Sequence, residues 1–431
     1  RGDLIGKAGI ERSHDTTLRG IQGVKKVLKN VNNREVGSYA NGAFDIKPSK
    51  GKDIMLGIDT DLQAFGEELM RNKKGSIVCI EPSTGEILAF VSSPSYDPNM
   101  LTGSELKRNW DGLQSDSLKP LYNRPLQALY PPGSIFKLAV ALAALNEGTL
   151  TPDTYYGCGG GFKRNKGKPG CRGHISPLSL NDAIQFSCNS YFAATYMDFL
   201  QNDKFTDFYA GYNKWYEYMR ILGVGRKLSV DLPYEKPGLL PAADRYDRQY
   251  GHDRWKATTI ISNAIGQGEI LMTPLQMANM VTIIANRGKY LEPHFVRAVR
   301  DENTSSWTKL SFDTIYTRIA TQHFEVVIDA MEEVVSSGTA RRAIIPGIAV
   351  CGKTGTVQNP HGEDHAVFIG FPPKDTPRIA VAVVIENAGG GGSWAAPTAS
   401  LMMEKYLNGT VTRQPEYDRI YNASFIKRGR Q

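Results

Sequence analysis

Residues 131–137 read Pro131-Pro132-Gly133-Ser134-Ile135-Phe136-Lys137. Two prolines and a glycine predict a rigid turn, and the apolar, alanine-rich run 136–145 predicts a buried helix that begins there. Ser134 is expected at the helix N-terminus, where the helix dipole favours developing negative charge. Lys137 follows one turn later on the same face. A lysine whose pKa is lowered by an apolar pocket can take a serine proton, so the pair predicts a nucleophile and its base. Taken alone, this common four-residue pattern favours the simpler interpretation, a helix cap at Ser134 and a solvated Lys137.

Two further motifs make the catalytic interpretation specific. Ser187-Cys188-Asn189 follows downstream, and Lys353-Thr354-Gly355-Thr356 comes later. The order S-x-x-K, S-x-N, K-T-G is the signature of enzymes that recognise penicillin through a serine. On these motifs the chain resembles the class B penicillin-binding proteins, and among them the transpeptidases of cell elongation, over residues 4–408.

The resemblance implies an α+β protein with the penicillin-binding or serine β-lactamase-like transpeptidase fold. In that fold an antiparallel sheet is flanked by helices, and an all-helical lobe is inserted between its second and third strands. The residue pattern agrees, because residues 76–80 and 87–91 read as two strands around a turn, and 350–357, 366–371 and 378–386 read as three more. A helix over 398–407 is expected to pack on this sheet.

Three segments are predicted along the chain. Residues 1–48 are polar and weakly periodic, and they resemble a mostly extended remnant of the N-terminal pedestal and linker of the family. Residues 49–410 form the transpeptidase domain. Residues 411–431 are interpreted as a C-terminal tail.

The resemblance also implies the roles of the first two motifs. Ser134 attacks the carbonyl of the penultimate D-Ala of a stem peptide, and Lys137 takes the serine proton. Ser187 relays a proton to the leaving amine. Asn189 orients Lys137 and the substrate amide.

The third motif is implied to bind substrate along a strand edge. Lys353 and Thr354 bind the terminal carboxylate, which the carboxylate of a β-lactam imitates. Gly355 lets the substrate backbone approach and pair with the edge. The backbone N–H groups of Ser134 and Thr356 form the oxyanion hole.

The implied function is a peptidoglycan D,D-transpeptidase that cross-links stem peptides through a serine acyl-enzyme during cell elongation and is a target of β-lactams. Two alternatives remain: a hydrolase of the same fold, such as a β-lactamase or a D,D-carboxypeptidase, and a non-catalytic β-lactam sensor. Class A β-lactamases deacylate with a glutamate, and no E-x-x-L-N-like glutamate lies between Asn189 and Lys353.

Composition limits the class of protein. The 431 residues are 41% hydrophobic and 22% charged, as in an ordinary globular protein. The net charge is +7, but no basic face with interleaved aromatic residues and no recognisable nucleic-acid-binding module accompanies it, so no nucleic-acid partner is predicted.

Location and partners follow from the resemblance. No apolar run approaches the roughly 20 residues of a membrane span, and the chain opens on Arg1-Gly2-Asp3. We therefore expect the part of the enzyme that lies at the periplasmic face of the bacterial inner membrane, without its N-terminal anchor. The expected partners are stem peptides, β-lactam antibiotics and the membrane glycan polymerase of the elongation complex.

Cysteine usage predicts a metal site. The chain has five cysteines, an odd number that leaves at least one thiol unpaired. Cys158, Cys171, His174 and Cys188 form a Cys3His set, which is typical of structural Zn2+ sites. Two alternatives stay open: a Cys158–Cys171 disulfide, which an oxidising periplasm favours, or four unrelated buried groups.

Overall fold

The computed structural model describes residues 5–300 and 306–426. They divide into two compact units. The first unit contains the N-terminal segment up to Gly57, together with Val230–Tyr234 and His294–Phe312. The second unit contains Ile58–Ser229, Glu235–Pro293 and the chain from Asp313 onward.

The longest strands of the described residues lie in the second unit. In chain order they are β1 Val27–Lys29, β2 Glu35–Ser38, β3 Asp53–Leu56, β4 Gly75–Ile80, β5 Ile87–Ser93, β6 Lys289–Tyr290, β7 Val296–Arg300, β8 Trp307–Lys309, β9 Ile315–Tyr316, β10 Cys351–Val357, β11 His365–Phe371 and β12 Ala380–Ile385.

The α-helices lie mostly between β5 and β10. In chain order they are α1 Gly9–Ser13, α2 Asp15–Arg19, α3 Thr60–Leu69, α4 Glu105–Ser115, α5 Arg124–Gln127, α6 Lys137–Glu147, α7 Leu180–Gln185, α8 Asn189–Leu200, α9 Phe208–Ile221, α10 Ala243–Tyr250, α11 Pro274–Ala285, α12 Thr321–Ser336, α13 Ala395–Asn408 and α14 Gln414–Asn422.

A five-stranded antiparallel sheet in the order β10-β11-β12-β4-β5 is the centre of the second unit. Every residue of β4 and β12 is buried. Because successive side chains of a strand point to opposite faces of the sheet, a strand in which every residue is buried is covered on both faces. Helices α3 and α13 contact each other and the sheet, and so do α11 and α12. The predicted α+β class is confirmed, and all five predicted strands are present.

The insertion between β5 and β10 is mainly helical, but it is not all-helical. It also contains β6 to β9, of which β6 pairs with β9. These strands span only two to five residues, too short for a period-two pattern to reveal them in the sequence. Helix α6, by contrast, is buried on all sides from Lys137 to Leu145, as its alanine-rich composition predicts.

The N-terminal unit extends beyond the predicted boundary at residue 48. It contains the short helices α1 and α2 and the β1–β2 hairpin, so it is less extended than predicted. Its last strand, β3, pairs with β7, and β7 pairs with β8. Local sequence patterns do not show pairing between strands so far apart along the chain, so they could not indicate that this compact unit continues to Gly57.

The segment predicted to be a tail, residues 411–431, contains helix α14. Glu404 on α13 anchors the connection to it and is 1% exposed. Its carboxylate accepts hydrogen bonds from the Thr412 backbone at 2.9 Å and hydroxyl at 2.7 Å, and from Arg413 Nε at 2.7 Å. The sequence pattern did not indicate this helix because its residues contact partners far along the chain, such as Glu68, which accepts a hydrogen bond from the Tyr417 hydroxyl. Residues 427–431 lie outside the described part.

In the described part of the chain, no helix combines the length and the apolar character that crossing a bilayer requires.

Glu404→Gln is expected to lower the free energy of unfolding by about 2 kcal/mol, because it weakens charge-assisted hydrogen bonds to a buried group. Urea unfolding measures this loss. Glu363→Gln, at an exposed position, is the control and should change stability by less than about 0.5 kcal/mol. Equal stability of the two variants would show that α14 is not anchored through Glu404.

Candidate active site

Ser134 lies on a 3-10 turn, Gly133–Phe136, that leads into α6. Gly133 has a φ of 61°, a conformation that a residue with a side chain rarely adopts. A Cβ at Gly133 would also lie 3.1 Å from the carbonyl oxygen of Thr356. The serine turn therefore packs directly against strand β10, which carries the third motif. Ser134 itself is partly exposed.

Gly355 makes the same approach from the strand side. A Cβ there would lie 3.1 Å from the carbonyl oxygen of Pro132 and 3.3 Å from Cγ2 of Ile135. Close packing against the serine turn is thus one physical reason for a glycine at this position. The approach of a substrate backbone to Gly355, and the oxyanion role of the N–H groups of Ser134 and Thr356, remain predictions.

Lys137 is completely buried, and its amine is held by three oxygens. Nζ donates to the Ser187 carbonyl at 2.7 Å, to Ser187 Oγ at 3.2 Å and to Asn189 Oδ1 at 2.6 Å. Burial lowers the Lys137 pKa to about 7, against the opposing effect of negative charge on the nearby Cys188 and Cys171 sulfurs. The first two motifs therefore meet at a single amine that can exist neutral near physiological pH.

Backbone geometry between α7 and α8 makes this convergence possible. Ser187 has a φ of 58°, an uncommon conformation for a residue with a side chain. The next residue, Cys188, donates its N–H to the Ala183 carbonyl at 2.9 Å and is the N-cap of α8. This tight turn lets Ser187 and Asn189 face Lys137 while Cys188 is fully buried. Nothing in the sequence signalled the left-handed residue.

Lys353 is the second buried amine of the site. Its Nζ donates to the Thr354 carbonyl at 3.3 Å. Its pKa is held well below the ordinary value, first by burial and then by the positive charge of Lys137. The hydroxyl of Thr354 is 2.8 Å from that of Thr339, in the loop after α12.

Several residues that support the site were missed. Thr339 contacts the third motif, and Gln185 at the end of α7 donates to Ser337 Oγ at 2.8 Å. A Cβ at Gly391 would collide with the carbonyl oxygens of Gly355 and Val367. The glycine-rich run around Gly391 was a visible signal, but only the fold shows that it packs on β10.

The predicted metal ligands come together beside the second motif. Cys158, Cys171, His174 and Cys188 each offer one donor atom, and these atoms all lie within 4.8 Å of one another. The Cys171 sulfur is 3.2 Å from His174 Nε2 and 3.8 Å from the Cys188 sulfur. His174 Nδ1 is 2.7 Å from the Ile175 carbonyl, which can fix the tautomer that leaves Nε2 free to bind a metal.

The chemistry of this donor set suits a metal ion. All five cysteines are free thiols in this structure. Hydrogen bonds from Cys188 and from the Asn189 backbone lower the Cys171 pKa to about 4, while the same contact and burial raise the Cys188 pKa. Three sulfurs and one imidazole at these separations match a tetrahedral structural zinc site.

The cluster is linked to the groups that hold Lys137. The Asn189 backbone N–H donates to the Cys171 sulfur at 3.3 Å, and its side-chain amide donates to the Gly170 carbonyl at 2.7 Å. The same asparagine holds Lys137 through Oδ1. The position of Asn189 therefore depends on the loop that carries the cysteines.

Comparison with known proteins agrees with this geometry. Residues 75–404 match the penicillin-binding protein transpeptidase domain, and residues 1–56 match the penicillin-binding protein dimerisation domain. Peptidoglycan D,D-transpeptidase MrdA of Acinetobacter baumannii is 32% identical over 432 residues, which cover 94% of this chain and 61% of that relative. The chain thus spans less than two thirds of that protein.

Solved structures show the same fold. Pseudomonas aeruginosa PBP2 in complex with WCK 5153 aligns with a TM-score of 0.79 and 32% identity, over 95% of this chain and 84% of that one. Helicobacter pylori PBP2, in a complex with MreC, aligns with a TM-score of 0.78 and 27% identity, over 94% and 73%. The fold and the motif-based resemblance are confirmed: the chain belongs to the penicillin-binding protein transpeptidases, in the branch of penicillin-binding protein 2.

Proposed function

We propose that the chain is the catalytic part of a peptidoglycan D,D-transpeptidase that cross-links stem peptides during cell elongation and is acylated by β-lactams. The observation that carries this proposal is the buried Lys137 amine, held by Ser187 and Asn189 next to the Ser134 turn. A neutral amine in that place can serve as the general base that a serine nucleophile needs.

In the acylation step, Ser134 Oγ forms a bond to the carbonyl carbon of the penultimate D-Ala, and its proton passes to Lys137. The tetrahedral intermediate collapses as the bond to the terminal D-Ala breaks. Ser187, whose hydroxyl contacts Lys137 at 3.2 Å, relays this proton from Lys137 to the leaving amine, which departs as free D-Ala. An amine of a second stem peptide then attacks the ester, forms the cross-link and returns Ser134 to its free state.

Lys353 and Thr354 are proposed to bind the terminal carboxylate of the donor. Burial makes a charged Lys353 unfavourable in the free site. A substrate carboxylate supplies the missing counter-charge, so the ammonium form is stabilised when the correct ligand binds. This preference selects donors with a free C-terminal carboxylate and β-lactams that imitate it.

The wider biological setting is proposed by similarity. Helicobacter pylori PBP2 forms a complex with MreC, which supports a place for this chain in an elongation complex at the periplasmic face of the inner membrane. A membrane glycan polymerase is the partner that would supply new glycan strands for cross-linking.

We also propose that Zn2+ binds Cys158, Cys171, His174 and Cys188. The four donors already lie within 4.8 Å of one another, and the loop that carries the first three is rich in glycine and poor in apolar residues. Such a loop gains little from burial, whereas metal binding contributes directly to folding. Zinc would fix Cys188 and, through it, the Ser187 and Asn189 groups on either side.

Incubation with a D-Ala-D-Ala donor and an amine acceptor tests the reaction. Wild-type protein is expected to release D-Ala and form the cross-linked product, and Ser134→Ala should form neither that product nor a covalent penicillin adduct by intact-mass spectrometry. Ser83→Ala, at an exposed position of a turn, is the control. Release of D-Ala with hydrolysis alone would indicate a carboxypeptidase, and acylation by penicillin without turnover would indicate a sensor. Loss of the penicillin label within seconds would indicate a β-lactamase.

The rate of acylation by a fluorescent penicillin should depend on the charge of Lys137. The base acts when neutral, so the rate should rise about tenfold per pH unit below the pKa and level off above it, with a midpoint at about 7. Lys137→Arg keeps the charge but cannot lose its proton, so acylation should fall by orders of magnitude. Lys256→Arg, at an exposed position, should leave the profile unchanged. Acylation of Lys137→Arg within about threefold of wild type would show that another group is the base.

Protein purified without chelator is expected to contain about one zinc per chain by metal analysis, as a site built from these four donors requires. Cys171→Ser should lose the metal, lower the melting temperature and slow acylation of an intact Ser134. Cys79→Ala removes a buried thiol on β4 and should keep the zinc. Metal-free wild-type protein, or a Cys158–Cys171 disulfide in a peptide map, would refute the site.

A further inference from the structure

A cavity of about 290 Å³ lies at one end of the central sheet, apart from the groups that hold Lys137. It is lined by Lys74, Lys119, Tyr122, Arg124 and Glu386. Lys74 comes directly before β4, and Glu386 comes directly after β12, so the two flank neighbouring ends of the sheet. None of these residues belongs to the three motifs or to the cysteine cluster.

Arg124 is the buried charge of this cavity, with 1% of its surface exposed. Its two terminal nitrogens donate to the carbonyl oxygens of Lys119 at 3.2 Å and Leu118 at 2.6 Å. Its Nε has no hydrogen-bond partner. A buried guanidinium stays charged, and leaving its charge poorly compensated is costly.

The single carboxylate of the cavity is shared among several groups. Glu386 accepts a hydrogen bond from the Tyr130 hydroxyl at 2.8 Å. Lys74 Nζ lies 3.0 Å from Glu386 Oε2, and Arg124 Nε lies 3.6 Å from Glu386 Oε1. Since the lining holds three cations, Lys74, Lys119 and Arg124, against one carboxylate, the cavity carries an excess of two positive charges.

We propose that this cavity binds a phosphate group. An excess of two positive charges matches a phosphate dianion better than a monoanionic carboxylate. Lys119 is exposed and Lys74 is partly exposed, so their flexible amines can close on an anion as point charges. The Tyr122 ring, 37% exposed, forms an apolar wall. The volume leaves room beside the phosphate for a short substituent, as in a phosphate monoester.

Isothermal titration of the full chain at constant ionic strength tests the proposal, with inorganic phosphate, glycerol 3-phosphate and acetate as probes. Both phosphates are expected to bind once per chain and acetate to bind more weakly. Lys119→Ser and Lys74→Ser should each weaken phosphate binding about tenfold, the usual effect of losing one charge-assisted contact. Lys256→Ser, which removes an exposed lysine outside the cavity lining, should bind phosphate like the wild type.

Arg124→Gln should abolish phosphate binding. Because Arg124 is buried, the melting temperature of this variant is measured as well. The two rim variants, Lys119→Ser and Lys74→Ser, decide the question. Tighter binding of glycerol 3-phosphate would identify a phosphate monoester as the ligand, and tighter binding of inorganic phosphate would identify the free ion. Absence of saturable phosphate binding, acetate binding as tight as phosphate, or rim variants that bind like wild type would overturn the proposal. No acylation step enters this measurement, so its outcome is independent of the transpeptidase proposal.

Discussion

The amine of Lys137 sets the physical constraint on which the candidate site depends. It is fully removed from solvent, and a buried charged amine is costly unless oxygens surround it. Three oxygens meet this need: two from Ser187, in the turn between α7 and α8, and one from Asn189, the first residue of α8. They do not restore the ordinary pKa, which burial lowers to about 7. The same contacts thus hold the amine in place and leave it able to give up its proton, which is the combination that a general base requires.

The turn that supplies these oxygens is not stable by apolar burial alone. Ser187 has a left-handed backbone, which costs roughly 1 kcal/mol or more for a residue with a side chain. The buried Cys188 side chain helps to hold this turn, since its sulfur accepts a hydrogen bond from the Tyr191 N–H at 3.3 Å and lies 3.8 Å from the Cys171 sulfur. The cysteine cluster and the lysine ligands are therefore two sides of one short segment. A metal at the cluster would stiffen this segment without contacting a substrate.

Close backbone packing brings the remaining motif to the same place. Gly133 and Gly355 allow the serine turn and β10 to approach within distances at which a Cβ would be crowded. Gly391 allows another loop to lie against β10. A second buried lysine, Lys353, consequently lies near enough to Lys137 for the two charges to disfavour each other. Such a site favours an anionic ligand, because a carboxylate relieves both the burial and the repulsion.

The sequence alone determined the family, the strands of the central sheet, the three motifs and the four candidate metal-binding residues, because each depends on residue types at fixed local spacing. It also predicted a buried helix behind Ser134, since alanine and leucine fill that run on every side. Only the tertiary structure decided where the N-terminal unit ends, because β3 pairs with β7 from far along the chain. The helix in the expected tail, the contact of Thr339 with Thr354 and the shared carboxylate of Glu386 also depend on long-range partners. Local residue spacing cannot predict such contacts, because their energies depend on which distant groups the fold brings together.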